Sequence, residues 1–280
     1  MQRVTQPTVT FIGGGNMARA IYGGLLDSGL IATNLSVVDP SAAAQDSARQ
    51  AGIDQVFDTA PDGVLSADLI VLAIKPQVTK AALQPLAGRL EPNSLVLSIV
   101  AGINAESLTA LLGLSNAGRI IRCMPNTPAL VGEGMTGLYV KTEANSTESK
   151  ALAERVMSSV GQCVWVESES DLDVITAISG SGPAYFFLFI ESLTDAAIAL
   201  GMNSESARKL ALQTALGASR LASLSSEDAA TLRKNVTSPG GTTEQAIQAF
   251  EASDIRGMVA QATQAAARRS VELSLSLIHI

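Results

Sequence analysis

The sequence predicts an α/β fold: an N-terminal Rossmann-type doubly wound parallel sheet followed by an all-α C-terminal half. Three observations carry this. Short apolar runs alternate with helical periodicity as far as Val166, a Gly-x-Gly-x-x-Ala turn joins the first such pair, and beyond it the chain reads as helix after helix.

Val9–Ile12 is a short apolar run stopped by Gly13, hence a strand. Asn16–Asp27 places Met17, Ile21 and Leu25 on one helical face. Leu35–Asp39 is a second strand, ended by Pro40; Ser41 then caps a helix that Gly52 closes. Asp68–Ile74 and Ser94–Val100 are continuous apolar runs, as expected of strands buried on both faces. Arg119–Cys123 is a further strand, Ala144–Val160 a polar-faced helix and Cys163–Val166 a last strand. The expected domains are therefore 1–166 and 167–273. In the second, Ser181–Leu200 is apolar nearly all round and should be buried on most sides, as such helices often are between subunits. Helices over Ser204–Leu224, Glu227–Lys234, Glu244–Glu251 and Ile255–Leu273 complete it. The small residues, and Glu191 inside the apolar helix, suggest packing against a second copy, so a homodimer or larger homo-oligomer is expected.

Composition narrows the function classes. The chain has 280 residues, 47% apolar, with a net charge of −7. Such a charge argues against nucleic-acid binding, which needs Lys and Arg to neutralise phosphates. No apolar run reaches the ~18–20 residues of a bilayer span, and the N-terminal MQRVTQPT lacks a signal peptide's apolar centre. Cys123 and Cys163 form no C-x-x-C pair and read as buried thiols; with no Cys/His ligand set, no metal site is expected. The tail 274–280, ending Leu275-Ser-Leu-Ile-His-Ile280, reads as translated sequencing adapter and is expected to be non-native; it carries His279, the single histidine.

Gly13-Gly14-Gly15-Asn16-Met17-Ala18 ends a strand and opens a helix. Gly13 allows the tight turn, Gly15 lets a pyrophosphate approach the backbone, and Ala18 permits close helix–strand packing, with the helix N-terminus facing the anion. Asp39, closing the second strand, either bonds an adenosine ribose 2′-hydroxyl, which favours NAD over NADP, or caps the helix that follows. Ala73-Ile74-Lys75-Pro76 leaves a strand at the carboxyl edge of the sheet, where ligands bind; Lys75 is a cofactor contact or a solvated loop charge. Arg122–Pro128, with Pro125 and Asn126, leaves the next strand there as a cofactor-facing loop or a rigid connector.

Two hydroxyl- and glycine-rich stretches interrupt the helical half. Thr237-Ser-Pro-Gly-Gly-Thr-Thr243 precedes a helix, and Ile175-Thr-Ala-Ile-Ser-Gly-Ser-Gly-Pro183 is expected to form a turn at another helix N-terminus. Both read as anion cradles suited to a small carboxylate, or as two capped helix starts.

Gly13–Ala18, Ala73–Pro76, Arg122–Ala129, Ser179–Tyr185 and Val236–Thr243 together resemble the pyrroline-5-carboxylate reductase family, along the chain from about Val9 to Leu273. The resemblance implies reduction of 1-pyrroline-5-carboxylate to L-proline by a cytoplasmic enzyme using NADPH or NADH, with a helical domain that dimerises. It implies cofactor contacts from Ala73, Ile74, Lys75 and Pro76. It further implies a substrate carboxylate held by Ser238, Gly241, Thr242 and Thr243, with Thr176 near the ring. The family usually favours NADPH, which Asp39 opposes. The chemistry fits a chain without a histidine acid: a protonated imine brings its own charge, and the protein need only hold the ring against the nicotinamide. Thr243 is the candidate to touch the ring nitrogen. A β-hydroxyacid dehydrogenase would need a Lys that Ser181–Leu200 lacks, a lactate-type enzyme a His, and a cofactor-sensing protein would have no use for the two cradles.

Overall fold

The computed structural model describes residues 6–141 and 147–277, with side chains through 275. The start of the helix expected from Ala144 and the histidine of the C-terminal tail lie outside the described residues.

An eight-stranded sheet runs in the order β3-β2-β1-β4-β5-β6-β7-β8. Its strands are β1 (Val9–Ile12), β2 (Leu35–Val38), β3 (Gln55–Phe57), β4 (Leu69–Leu72), β5 (Leu95–Ser98), β6 (Ile120–Met124), β7 (Gly134–Val140) and β8 (Gly161–Trp165). All neighbours pair in parallel except β6 and β7. The chain builds outward from β1 to β3 and then returns to β4 on β1's other side, which leaves a crevice at the carboxyl ends of β1 and β4.

The buried runs divide by alternation. Phe11, Val37, Val71, Leu97 and Ile121 face one layer with α1 (Asn16–Asp27) and α5 (Thr147–Ser158). Ile12, Val38, Ile70, Leu72, Val96 and Ile120 face the other, with α3 (Thr79–Leu83) and α4 (Ala105–Leu112). Each fully buried Leu or Ile contributes roughly 1.5–3 kcal/mol, so the sheet has two layers of core to anchor it. α2 (Ala42–Gln50) begins after Ser41, but the Ser41 hydroxyl makes no cap bond; the Asp39 carboxylate takes the Ser41 amide instead, at 2.8 Å. Cys123 is buried, whereas Cys163 is only half-buried, which corrects the expectation for the second thiol; both are free.

By contacts the chain forms two compact units, 1–181 with 266–280, and 182–265. The compact helical unit therefore starts later than the expected boundary at 166, because α6 (Asp171–Ile175) and the turn after it pack with the sheet: Ile175 lies against Gly137 of β7 so closely that any Cβ there would collide with it. The second unit holds α7 (Gly182–Ala199), α8 (Ser204–Leu224), α9 (Ala229–Asn235), α10 (Thr242–Ala252) and the first turns of α11 (Ile255–Leu277).

The burial expected for α7 is not met within one chain: Phe186, Phe187 and Leu188 are 64, 65 and 63% exposed, and of the helix only Gly182 is buried. It also continues from α6 as one helix, Asp171–Ala199, which by length and apolar composition could cross a membrane. The helix runs through the polar residues Thr176, Ser179 and Ser181 that precede the apolar stretch.

Candidate active site

Register brings the first set of site residues together. Ile12 pairs with Val38 on one side and Leu72 on the other, so Gly13, Asp39 and Ala73 leave the sheet side by side. The Gly13 amide donates to Val38 O at 2.8 Å and the Ala73 amide to Ile12 O at 2.8 Å. Gly13 has φ +101°, and a Cβ there would run into the Ala73 carbonyl, so only glycine serves. Gly15 caps α1 without a side chain, and a Cβ on it would meet nothing within 4 Å, which leaves open space before the helix's first amides.

A cavity of about 610 Å³ occupies this crevice, lined by Gly13, Gly15, Asp39, Ala73, Ile74 and Lys75 among others. The Asp39 carboxylate accepts the Gly14 amide at 2.7 Å through one oxygen and the Ser41 amide through the other. The carboxylate thus holds the turn that follows β2 and also lines the cavity. Asp58 and Arg89 line it too, and neither was picked out from the sequence. Arg89 is engaged by Asp62 at 2.7 Å and by the Ala60 carbonyl at 2.8 Å. No local pattern signals Arg89; only the tertiary fold carries it to the crevice. Gly14, Asn16, Met17 and Ala18 do not line the cavity: Ala18 is core, and Met17 packs on it.

A second cavity, about 410 Å³, lies at the ends of β5 and β6, with Pro76, Gly102, Arg122, Met124, Thr176 and Ser181 on its wall. Lys75 lines the first cavity and Pro76 the second, so the two meet at one loop. Pro76 opens a short 3-10 turn with Lys75 at its cap, as its fixed φ favours. Arg122 pairs with Glu169 at 3.0 Å, and the same carboxylate oxygen accepts the Ala105 amide at 2.8 Å at the start of α4. Ala101 and Gly102 follow an apolar strand, so the carboxyl-edge rule applied to β5 would have found them; Arg122 opens the Arg122–Pro128 segment, where nothing local marks it as a cavity residue.

The second cradle takes another form than expected. Residues Thr176–Gly180 make a π-helical turn inside the continuous helix, with the Ser181 amide on Thr176 O at 2.8 Å. Its backbone amides are spent within the helix, so it is no open helix N-terminus. The Thr176 hydroxyl donates to Leu172 O at 2.7 Å, leaving its oxygen free to accept. Pro125 and Asn126 are buried and line neither cavity.

The first cradle, in the helical unit, does precede a helix. Gly241 caps α10 without a side chain, and Gly240 has φ +69°. Two amides are already used: Gly240 donates to the Glu244 carboxylate at 2.8 Å and Gly241 to Ser238 O at 3.0 Å. Ser238 and Thr242 are exposed and Thr243 is half-buried.

A family model described as pyrroline-5-carboxylate reductase dimerisation matches residues 169–273, and one described as NADP oxidoreductase coenzyme F420-dependent matches 8–102. The pyrroline-5-carboxylate reductase of Pseudomonas aeruginosa is 44% identical over 277 residues, covering 98% of this chain and 99% of that protein. That of Arabidopsis thaliana is 38% identical, covering 96% of each. The solved structure of a pyrroline-5-carboxylate reductase from Coxiella burnetii matches with a TM-score of 0.89 at 40% identity, over 96% of this chain and 99% of that one. The Plasmodium falciparum pyrroline carboxylate reductase with NADP bound matches with a TM-score of 0.81 at 30% identity, over 96% and 98%. On fold, site and kinship together, this chain belongs to the pyrroline-5-carboxylate reductase family.

Proposed function

We propose that this chain reduces 1-pyrroline-5-carboxylate to L-proline with NADH or NADPH, in proline biosynthesis. The observation that carries the reading beyond kinship is the pair of cavities meeting at Lys75–Pro76, one built around the glycine turn and the other holding Thr176. When bound, the reduced nicotinamide supplies the hydride to the C=N carbon. Gly13, Gly15 and the first amides of α1 take the pyrophosphate, as their open, uncapped geometry suits. Gly14 contributes through its tie to Asp39, Asn16 and Met17 begin the helix behind the turn, and Ala18 sets its distance from the sheet. Ala73, Ile74, Lys75 and Pro76 border the nucleotide on the far side.

Ser238, Gly241, Thr242 and Thr243 hold the substrate carboxylate, and Thr243 touches the ring nitrogen. Thr176 sits beside the ring. Because its hydroxyl proton is given to Leu172, Thr176 is not the acid; the substrate arrives as the iminium. Asp39 and Asp58 line the adenosine side, and Arg89 is tied to Asp62, so a 2′-phosphate would meet carboxylates without a free guanidinium. Preference for NADH over NADPH follows.

The apolar flank of α7 and α8 is covered by a second copy, giving a dimer or larger assembly, as the dimerisation model over 169–273 supports. Neither a membrane nor a nucleic acid is a partner, and the enzyme works in the cytoplasm. Mixing the protein with pyrroline-5-carboxylate and NADH, then NADPH, and following nicotinamide absorbance tests the reading; no oxidation with either would sink it.

A further inference from the structure

Pro183 brings no N–H to the helix it stands in, so the carbonyl four residues before it, that of Ser179, lacks its ordinary helical donor. The structure supplies another. The Asn126 side-chain Nδ2 donates to Ser179 O at 2.9 Å. The other end of the same amide, Oδ1, accepts the Met135 amide at 2.9 Å, where β7 begins. Asn126 is only 8% exposed and lines neither cavity.

Ser179 lies in the π-helical turn Thr176–Gly180, a geometry rare in helices and concentrated at functional sites. The turn rests on two paired strands: a Cβ on Gly180 would strike the Met124 side chain, and Ile175 already abuts Gly137. Met124 and Gly137 are register partners in β6 and β7. The turn's first residue, Thr176, and the residue just past it, Ser181, both line the second cavity. One buried amide therefore ties the strand ends to the turn that presents both hydroxyls.

We propose that Asn126 is a positioning residue and not a cofactor ligand: by satisfying the carbonyl that Pro183 orphans, it holds the π-helical turn in the form that sets Thr176 and Ser181 on the cavity wall. The inference rests on the reductase reading for its kinetic consequence, but not for the hydrogen bond itself.

Asn126→Asp keeps an acceptor for Met135 and removes the donor to Ser179, leaving two oxygens facing each other. Pro183→Ala restores an N–H within reach of the same carbonyl. The full chain carrying N126D is expected to bind NADH and NADPH within twofold of wild type by fluorescence titration. Its turnover of pyrroline-5-carboxylate is expected to fall by about thirtyfold, mainly in kcat, roughly what an unmade buried hydrogen bond yields. N126D/P183A should regain at least tenfold of that loss and recover melting temperature towards wild type. Loss of cofactor affinity in N126D would overturn the proposal in favour of a cofactor ligand. A double variant no better than N126D, in turnover or in melting, would overturn it as well. If N126D fails to fold, the double variant is expected to fold, and failure of both counts against the proposal. Should the wild-type chain oxidise no nicotinamide, the reductase reading fails alone, while the melting comparison still decides the role of Asn126.

Discussion

The Asp39 carboxylate accepts the Gly14 backbone amide at 2.7 Å, tying the end of β2 to the glycine turn that follows β1. Its second oxygen is held by the Ser41 amide, so the group is fixed on the cavity wall from both sides. Replacing Asp39 by Ser removes the negative charge from the adenosine side. The ratio of kcat/KM for NADPH to that for NADH should rise about tenfold, equivalent to about 1.4 kcal/mol. Both values should drop in absolute terms, because Gly14 loses its partner. An unchanged ratio would remove Asp39 as the discriminating residue.

Thr243 stands in the first turn of α10, just after the glycines of the exposed cradle. Thr243→Ala is expected to slow hydride transfer by roughly ten- to hundredfold, the range of a lost hydrogen bond to a charged group. Affinity for NADH should stay the same. Single-turnover kinetics beside a cofactor titration separates the two, and full activity would refute the assigned role.

Gly13 combines a left-handed φ of +101° with a Cβ position blocked by the Ala73 carbonyl. Gly13→Ala is expected to cost about 1–3 kcal/mol from backbone strain, before the collision is counted. A lower melting temperature together with lost nucleotide binding is the expected pair of results. Wild-type values of both would show that the turn is not held as described.

Leu188 is 63% exposed within a run of four exposed large apolar residues on α7, Phe186 to Phe189. If the proposed second copy covers this face, Leu188→Glu would place an unpaired charge between copies, a change typically costing several kcal/mol. Sedimentation should then show a shift from oligomer towards monomer. A monomeric wild-type chain would leave this apolar surface without the assigned partner, and binding to lipid vesicles would become the test of the long helix.

Legibility followed the range of the interaction involved. β4 and β5 were evident because strands buried on both faces read as near-continuous apolar runs, and β1, β2 and β6 because theirs are broken by a single polar residue, Thr10, Ser36 or Arg122. β3, only three residues long, and β7, with Gly134 and Gly137 interrupting its pattern, left no comparable mark. The glycine turn was readable because its constraint is local: a φ and a close approach that Gly13 alone permits. The role of Asn126 was not, since it depends on a bond to a residue 53 positions away.

The same division separates the two kinds of information in this protein. Hydrophobic period and the glycine turn, set by steric and solvent demands over a few neighbouring residues, were enough for the fold class, while the family came from the resemblance of the motifs taken together. What they could not specify is which groups share a wall or a bond: that Asp58 and Arg89 join Asp39, that Glu169 reaches Arg122, and that the Asn126 amide reaches Ser179 in the π-helical turn. Those pairings depend on strand order and register, which bring distant residues together only once the sheet has closed its two cores.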